Sequence, residues 1–311
     1  MPLSIHGTNG ITFNDGSTQN TRPAVGFRNR IINGDMRIDQ RNAGASQTFT
    51  AGAALAYSVD RFYGYCTGAN VTGQRVTATA PNEFAYRFTG AASVTAIGFG
   101  TRLEATNTQD LAGSTATLSV QLANSLLTTV TWTAFYANTA DAFGTLASPT
   151  RTQIATGTFT VNSTLTTYST QISIPSAATT GLEIVFTVGA QTSGTWTIDN
   201  VQLEAGSSAT AFERRPYGTE LALCQRYFWQ TVQQVDLDGY NVGGPKAYQY
   251  VCNPTTMRAS PTVSSNFSGL VQATGGISNA SVHGFQPTLT PNAGGRFAGT
   301  YSTGNTVSIE L

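Results

Sequence analysis

Apolar residues recur at every second position along much of this chain, the spacing of strands that bury one face. In 115–122, Leu118, Val120 and Leu122 alternate with polar residues, and in 128–136 Val130, Trp132 and Ala134 alternate with Thr. Ile172 and Ile174 share a face in 168–174, as do Leu182, Ile184, Phe186 and Val188 in 182–188. In 195–204, Trp196 and Ile198 are in phase, and the phase then moves to Val201 and Leu203, which predicts a β-bulge at Asp199-Asn200. Short strands at this spacing, separated by Gly, Asn and Ser turns, predict an all-β (mainly β) sandwich or barrel over 27–212.

Helical spacing appears in one place. Thr219 can cap, and Leu221, Cys224 and Phe228 follow at helical intervals, so a short linking helix is expected at about 219–229, within a linker at 213–230. Residues 231–311 return to short β-runs among polar loops and predict a small C-terminal β-domain. It is poor in apolar residues, and completion by neighbouring copies is expected. The first 26 residues form a short leader, with Ile11 and Phe13 before an Asp15-Gly16 turn signal. The leader is too small for its own core, so it is expected to dock on the next domain, on symmetry mates or on a larger particle.

Composition narrows the functional classes. Only 10% of the 311 residues are charged, with 16 basic residues against 16 acidic ones. So few charges disfavour nucleic acid, whose binding requires several neutralised phosphates. Surface polarity comes instead from Thr, Ser, Asn and Gln, which suits uncharged, hydroxyl-rich ligands or burial against identical subunits. Lys246 is the sole lysine, so the cationic chemistry is that of arginine forks. Cys66, Cys224 and Cys252 show neither a disulfide framework nor zinc spacing, and buried free thiols are expected. No run reaches the roughly 18 apolar residues of a membrane span, and no signal peptide is recognisable. Synthesis in a cytoplasm and release by lysis, as part of a virion, reconciles these features.

Catalytic motifs are sparse. His6 and His283 sit near no nucleophile motif, and neither G-x-S-x-G nor H-E-x-x-H occurs. A glycosidase needs two facing carboxylates. The candidates Glu183, Asp199, Glu204 and Glu213 read otherwise: Glu183 as a solvated outward strand residue, Asp199 and Glu204 as structural. No repeat of the kind expected for a β-helical depolymerising spike is present. Arg214 and Arg215, beside Glu213, read as salt-bridging at a domain junction.

Sugar recognition combines an aromatic face with amide, carboxylate or Arg hydrogen bonds. Trp132 and Trp196 read as core and Trp229 as packed between domains. The candidate contacts are therefore C-terminal: Tyr240, Tyr248, Tyr250, Phe285, Phe297 and Tyr301, with Arg258 and Arg296 as forks.

Three segments carry a family resemblance. They are 29–41 (NRIINGDMRIDQR) with 57–64 (YSVDRFYG); 194–229 (GTWTIDNVQLEAGSSATAFERRPYGTELALCQRYFW); and 253–266 (NPTTMRASPTVSSN). Together with the leader ITFNDGSTQ (11–19), they resemble bacteriophage tail-fibre and receptor-binding proteins. Asn33-Gly34-Asp35 early, with Ile198-Asp199-Asn200-Val201 late, also resembles carbohydrate-binding modules of the jelly-roll type. The resemblance implies a jelly-roll sandwich whose first and last strands pair, a receptor-binding tip, and a homotrimeric virion fibre held to other tail proteins by its leader. The resemblance does not fix a ligand; the charge-poor, hydroxyl- and amide-rich composition makes host surface polysaccharide the expected one. The missing catalytic motifs and missing apolar span lead to the expectation of no enzymatic activity and no membrane insertion. A purely structural decoration (head fibre or baseplate component) and a glycan-depolymerising tailspike are the alternatives. The resemblance also raises a structural calcium between Asp35 and Asp199, against a simpler reading in which Asn33, Asp35 and Asp199 make turn and strand-end hydrogen bonds.

Overall fold

The computed structural model describes residues 28–311 apart from Pro245, and in the leader the backbone of Ser4–His6 (β1), Gly10–Thr12 (β2) and Thr18–Gln19 (β3). These three short strands pair antiparallel in the order β1-β2-β3. The Asp15-Gly16 turn lies outside the described residues.

Twelve strands then build two six-stranded sheets. They are β4 (Gln47–Phe49), β5 (Ala56–Tyr57), β6 (Phe62–Thr67), β7 (Val71–Thr77), β8 (Phe84–Thr89) and β9 (Ala96–Leu103), followed by β10 (Thr115–Asn124), β11 (Thr129–Ala137), β12 (Arg151–Thr160), β13 (Thr166–Ser173), β14 (Leu182–Val188) and β15 (Thr195–Ala205). The first sheet runs β13-β10-β15-β8-β7-β4 and the second β12-β11-β14-β9-β6-β5. Consecutive strands thus alternate between sheets in places, and the result is a mainly β, jelly-roll-type sandwich. A single helical turn, α1 (Ala105–Thr108), follows β9.

Period-two patterning explains the packing. On β10, Ala116, Leu118, Val120 and Leu122 are fully buried between the sheets, so Thr117, Ser119, Gln121 and Ala123 must face outward. Trp196 stacks on Phe88, with ring centroids 5.5 Å apart, and Tyr86 stacks on Phe99 at 4.8 Å. Each buried ring contributes about 1.5–3 kcal/mol of apolar burial and each offset pair about 0.5–1.5 kcal/mol more. The bulge falls where the phase shift predicts it. Ser119 pairs with Gln202 and Gln121 with Asp199, leaving two residues of β15 opposite Val120. Asn200, one of the two, sits at φ 48°, a left-handed geometry that Asn tolerates better than most residues.

The ends of the sandwich meet. Beyond Ile198, β15 has no partner on its β8 side, and residues 29–34 fill that edge. Arg30 N–H donates to Leu203 O at 2.8 Å and Val201 N–H to Gly34 O at 2.8 Å. Position 34 has no room for a side chain, because a Cβ there would lie 2.1 Å from Val201 O. Asn33 organises the following turn, accepting from Ile38 N–H and donating to Ile38 O and Asp60 O.

The linking helix is α2 (Tyr217–Gln225), started by Pro216 rather than Thr219. It stops short of 229 because Phe228–Gln230 (β16) leaves the helix to pair with Thr306–Ser308 (β25). Strand pairing here overrides the local helical spacing. The remaining strands are β17 (Val235–Asn241), β18 (Ala247–Tyr248), β19 (Val251–Cys252), β20 (Thr262–Val263), β21 (Phe267–Val271), β22 (Ala273–Ser281), β23 (Gly284–Pro291) and β24 (Gly295–Tyr301). They form small sheets in the orders β16-β25-β20, β17-β24-β21 and β18-β23-β19, with β22 also on β23. Two small clusters make their core, one of Trp229, Met257, Phe285, Tyr301 and Val307, the other of Leu237, Ala273, Leu289 and Phe297. Trp229 therefore belongs to the C-terminal core and not to a domain interface.

Glu183 is the sharpest departure from the pattern. It is fully buried, not solvated. On the outer face of the second sheet, Phe143, Gly144 O and Leu311 O close over Arg102 and form a local roof. Under that roof Glu183 accepts from Tyr63 Oη at 2.5 Å and Arg102 Nε at 2.7 Å, and pairs with Arg151. Arg102 in turn donates to Gly144 O and Leu311 O.

Candidate functional site: a polar trough on the first sheet

Part of the outer face of the first sheet is open and carries two adjoining clefts of about 400 and 310 Å3. Pro81, Asn82 and Gln121 line both. Their side chains form the ridge between the clefts. Asn82 Nδ2 donates to Gln121 Oε1, and Asn200 Nδ2 donates to Asn82 Oδ1 at 2.9 Å and Gln121 Oε1 at 3.2 Å. Arg214 Nη2 adds a bond to Asn82 Oδ1 at 2.9 Å. The bulge is what raises Asn200 into this ladder.

Arg87 stands in the larger cleft. Its Nε lies 3.4 Å from Thr197 Oγ1, and no carboxylate lies within ion-pair distance. Most arginines described are ion-paired; Arg87 and Arg296 are the exceptions among the described residues. Thr77, Ser125, Thr195 and Thr197 supply hydroxyls, while Leu165 and Phe212 are apolar points on the walls. No acid, histidine or cysteine lines either cleft.

Acids lie beneath the floor instead. Asp199 is fully buried and pairs in register with Gln121. Burial pushes its carboxyl up to about 8, helped by Asp35 and opposed by the Asn200 N–H and Arg214. Asp199 Oδ2 and Asn200 Oδ1 have no hydrogen-bond partner. Asp35 pairs with Arg37 at 2.6 Å and lies 3.7 Å from Arg214. Two guanidinium groups thus occupy the charge of Asp35, and no group of three His, Cys, Asp or Glu converges among the described residues. Glu204 accepts from Thr210 N–H and Oγ1 and pairs with Arg28, a structural role as the sequence implies. Arg215 bridges Glu220 at 3.1 Å and Glu213 at 3.8 Å at the junction.

The C-terminal candidates scatter. Tyr240 and Arg296 are cross-strand neighbours on β17 and β24, both exposed. Tyr248 and Tyr250 are exposed on or beside the short strands flanking β23. Phe285 is fully buried against Trp229 and Tyr301, so it is a core residue, and Phe297 is likewise buried. Tyr301 is buried and donates to Ser264 O at 3.1 Å. Arg258 points back to the sandwich, bridging Glu104 at 2.9 Å and Asp141 at 3.3 Å. Phe285, Phe297 and Tyr301 are thus core residues, because the small C-terminal core needs every large apolar side chain it has, and Arg258 is held by the carboxylates of Glu104 and Asp141. The trough residues Arg87, Asn82 and Gln121 are not among the sequence candidates, and Asn200 enters there only through the bulge and the Ile198-Asp199-Asn200-Val201 segment. The signal available for the trough is the polar row alternating with Leu118, Val120 and Leu122.

No protein-family model matches the chain, and no curated protein matches it. Among solved structures, the carbohydrate-binding module TmCBM61, in complex with β-1,4-galactotriose, aligns with 12% identity and a TM-score of 0.36, over 58% of this chain and 100% of that one. A CBM4 structure aligns with 15% identity and a TM-score of 0.36, over 56% and 98%. The enzymatically active domain of bacteriophage CBA120 tailspike protein 4 aligns with 17% identity and a TM-score of 0.34, over 57% of this chain and 21% of that one. Likenesses of this size leave the site to be argued from its own residues.

Proposed function

We propose that this chain is a non-enzymatic virion fibre protein that recognises a host surface glycan, with the sandwich trough as the binding face. The observation that carries the reading is Arg87: an arginine fork without an ionic partner, set in an open cleft among amides and hydroxyls. Such a lining offers donors and acceptors to sugar hydroxyls and little apolar surface to anything else. The absence of acids from the lining of either cleft supports binding over hydrolysis, which requires two carboxylates flanking the bond. The virion assignment rests on the sequence resemblance, as does the expected homotrimer. Three copies would raise weak single-site affinity through avidity.

The test is calorimetric titration of the purified protein with host surface polysaccharide, for the wild type and Arg87→Ala. Binding without reducing-end release, weakened by the substitution, is expected. Undiminished binding by Arg87→Ala removes the trough; release of sugar ends points to the depolymerase reading; no binding points to a structural decoration. A mass measurement in solution checks the trimer.

A further inference from the structure

A separate cleft of about 470 Å3 lies at the root of the C-terminal domain, between the end of α2 and β19. Trp229 and Tyr250 contribute aromatic surface, and Gln225, Gln230, Gln233 and Gln249 contribute four carboxamides. None of these four amides has a hydrogen-bond partner among the described residues. Trp229 Nε1 is also buried without an acceptor. The contrast with Asn305 is direct. That amide, in the same domain, is saturated by Ser264, Asn266 and Ser302.

Trp229 Nε1 is the group that points to a ligand, because a buried donor in a folded protein normally has an acceptor. The half-buried Gln225 and Gln230 and exposed Gln233 and Gln249 are free to turn toward a ligand's hydroxyls. No charged residue lines the cleft. A phosphate or carboxylate ligand would therefore meet no counter-charge. An uncharged ligand with an apolar face for the rings and hydroxyls for the amides fits the lining. We propose that this cleft is a second saccharide site, independent of the trough, that takes a neutral hexopyranose unit. The ligand class rests on the glycan reading above; the location does not.

The full chain labelled with fluorotryptophan gives one signal for each of Trp132, Trp196 and Trp229, and the first two are buried in the sandwich core. The probes are the methyl glycosides of glucose, galactose, mannose and N-acetylglucosamine. At least one is expected to shift the Trp229 signal and leave the other two in place. The same sugar is expected to slow alkylation of Cys252, which is exposed in this cleft while Cys66 and Cys224 are buried. The double substitution Gln233→Ala with Gln249→Ala, at two exposed positions, is expected to weaken both effects about tenfold, the loss of roughly one net hydrogen bond. Trp229 unmoved by every probe overturns the proposal, even where polysaccharide still binds through Arg87. A Trp229 shift that follows protein concentration alone also overturns it, because a second copy of the chain then fills the cleft.

Discussion

Arg41 and Glu310 lie 269 residues apart in sequence and 2.8 Å apart in space. Around that pair the C-terminal domain is clasped to the sandwich. Arg41 also bridges Asp60 at 3.1 Å, and Arg61 pairs with the other oxygen of Glu310. Arg61 lies over the Tyr227 ring at 3.5 Å and Arg41 over Phe228 at 3.6 Å. The clasp joins the end of the C-terminal domain to the sandwich through ion pairs and cation–aromatic contacts.

Glu310→Ala leaves Arg61 nearly buried without its carboxylate. Breaking a buried pair from one side costs about 3–5 kcal/mol. The expected outcome is a lower denaturation midpoint, with the C-terminal domain unfolding before the sandwich. The fluorotryptophan signal of Trp229 against those of Trp132 and Trp196 in the sandwich core reads the order; coincident, unshifted transitions would contradict the clasp.

Glu183→Ala removes the shared partner of Arg102 and Arg151 under the roof of the second sheet. A loss of similar size, about 3–5 kcal/mol, is expected. Tyr63→Phe removes a single donor to that carboxylate and is expected to cost about 1–2 kcal/mol. Chemical denaturation of both variants checks the ranking.

Gly34→Ala drives a methyl group into Val201 O. Either the joint between first and last strands opens or the strands shift, at a cost of about 1–3 kcal/mol or more. Faster hydrogen exchange of the Val201 and Arg30 amides, which form that joint, is the expected sign.

Two buried acids give the stability a pH slope. Burial raises Asp199 from 3.8 to about 8 and Asp60 from 3.8 to about 7, the latter against the pull of Arg41 and Gln40. Above 3.8 the unfolded chain has released these protons while the folded chain still holds them. Folding is therefore favoured most at low pH, and that contribution is lost as pH rises through the folded values. Asp199→Asn is expected to flatten the slope up to about 8. Unfolding free energies measured across that range would show it, and an unchanged slope would contradict the burial account.

Arg87→Ala alters an exposed side chain of the trough whose one hydrogen bond is to Thr197 Oγ1. It is expected to change stability by no more than about 0.5 kcal/mol while weakening polysaccharide binding. A thermal melt run beside the titration separates lost binding from lost fold.

The sequence by itself determined the strands and the inner face. Leu118, Val120 and Leu122, or Leu182, Ile184 and Phe186, have one arrangement that buries them all, because side chains alternate strictly along a strand. It also determined the bulge, since a phase change from Ile198 to Val201 requires an extra residue. It did not determine the fate of the outward rows. Glu183 and Gln121 occupy equivalent outward positions on their strands. Glu183 is sealed among Tyr63, Arg102 and Arg151, with Phe143 and Leu311 against Arg102, while Gln121 lines a cleft. The difference comes from chain segments that return from far along the sequence: they cover Glu183 on the second sheet and Gln202 and Glu204 on the first, and leave the stretch around Gln121 and Arg87 open. For the same reason Arg258 went to Glu104 and Phe285 to the core, whereas Arg87, unremarkable in its strand, was left without an ionic partner. Local patterning fixes which side of a strand points inward; only long-range packing decides what stands above the side that points out.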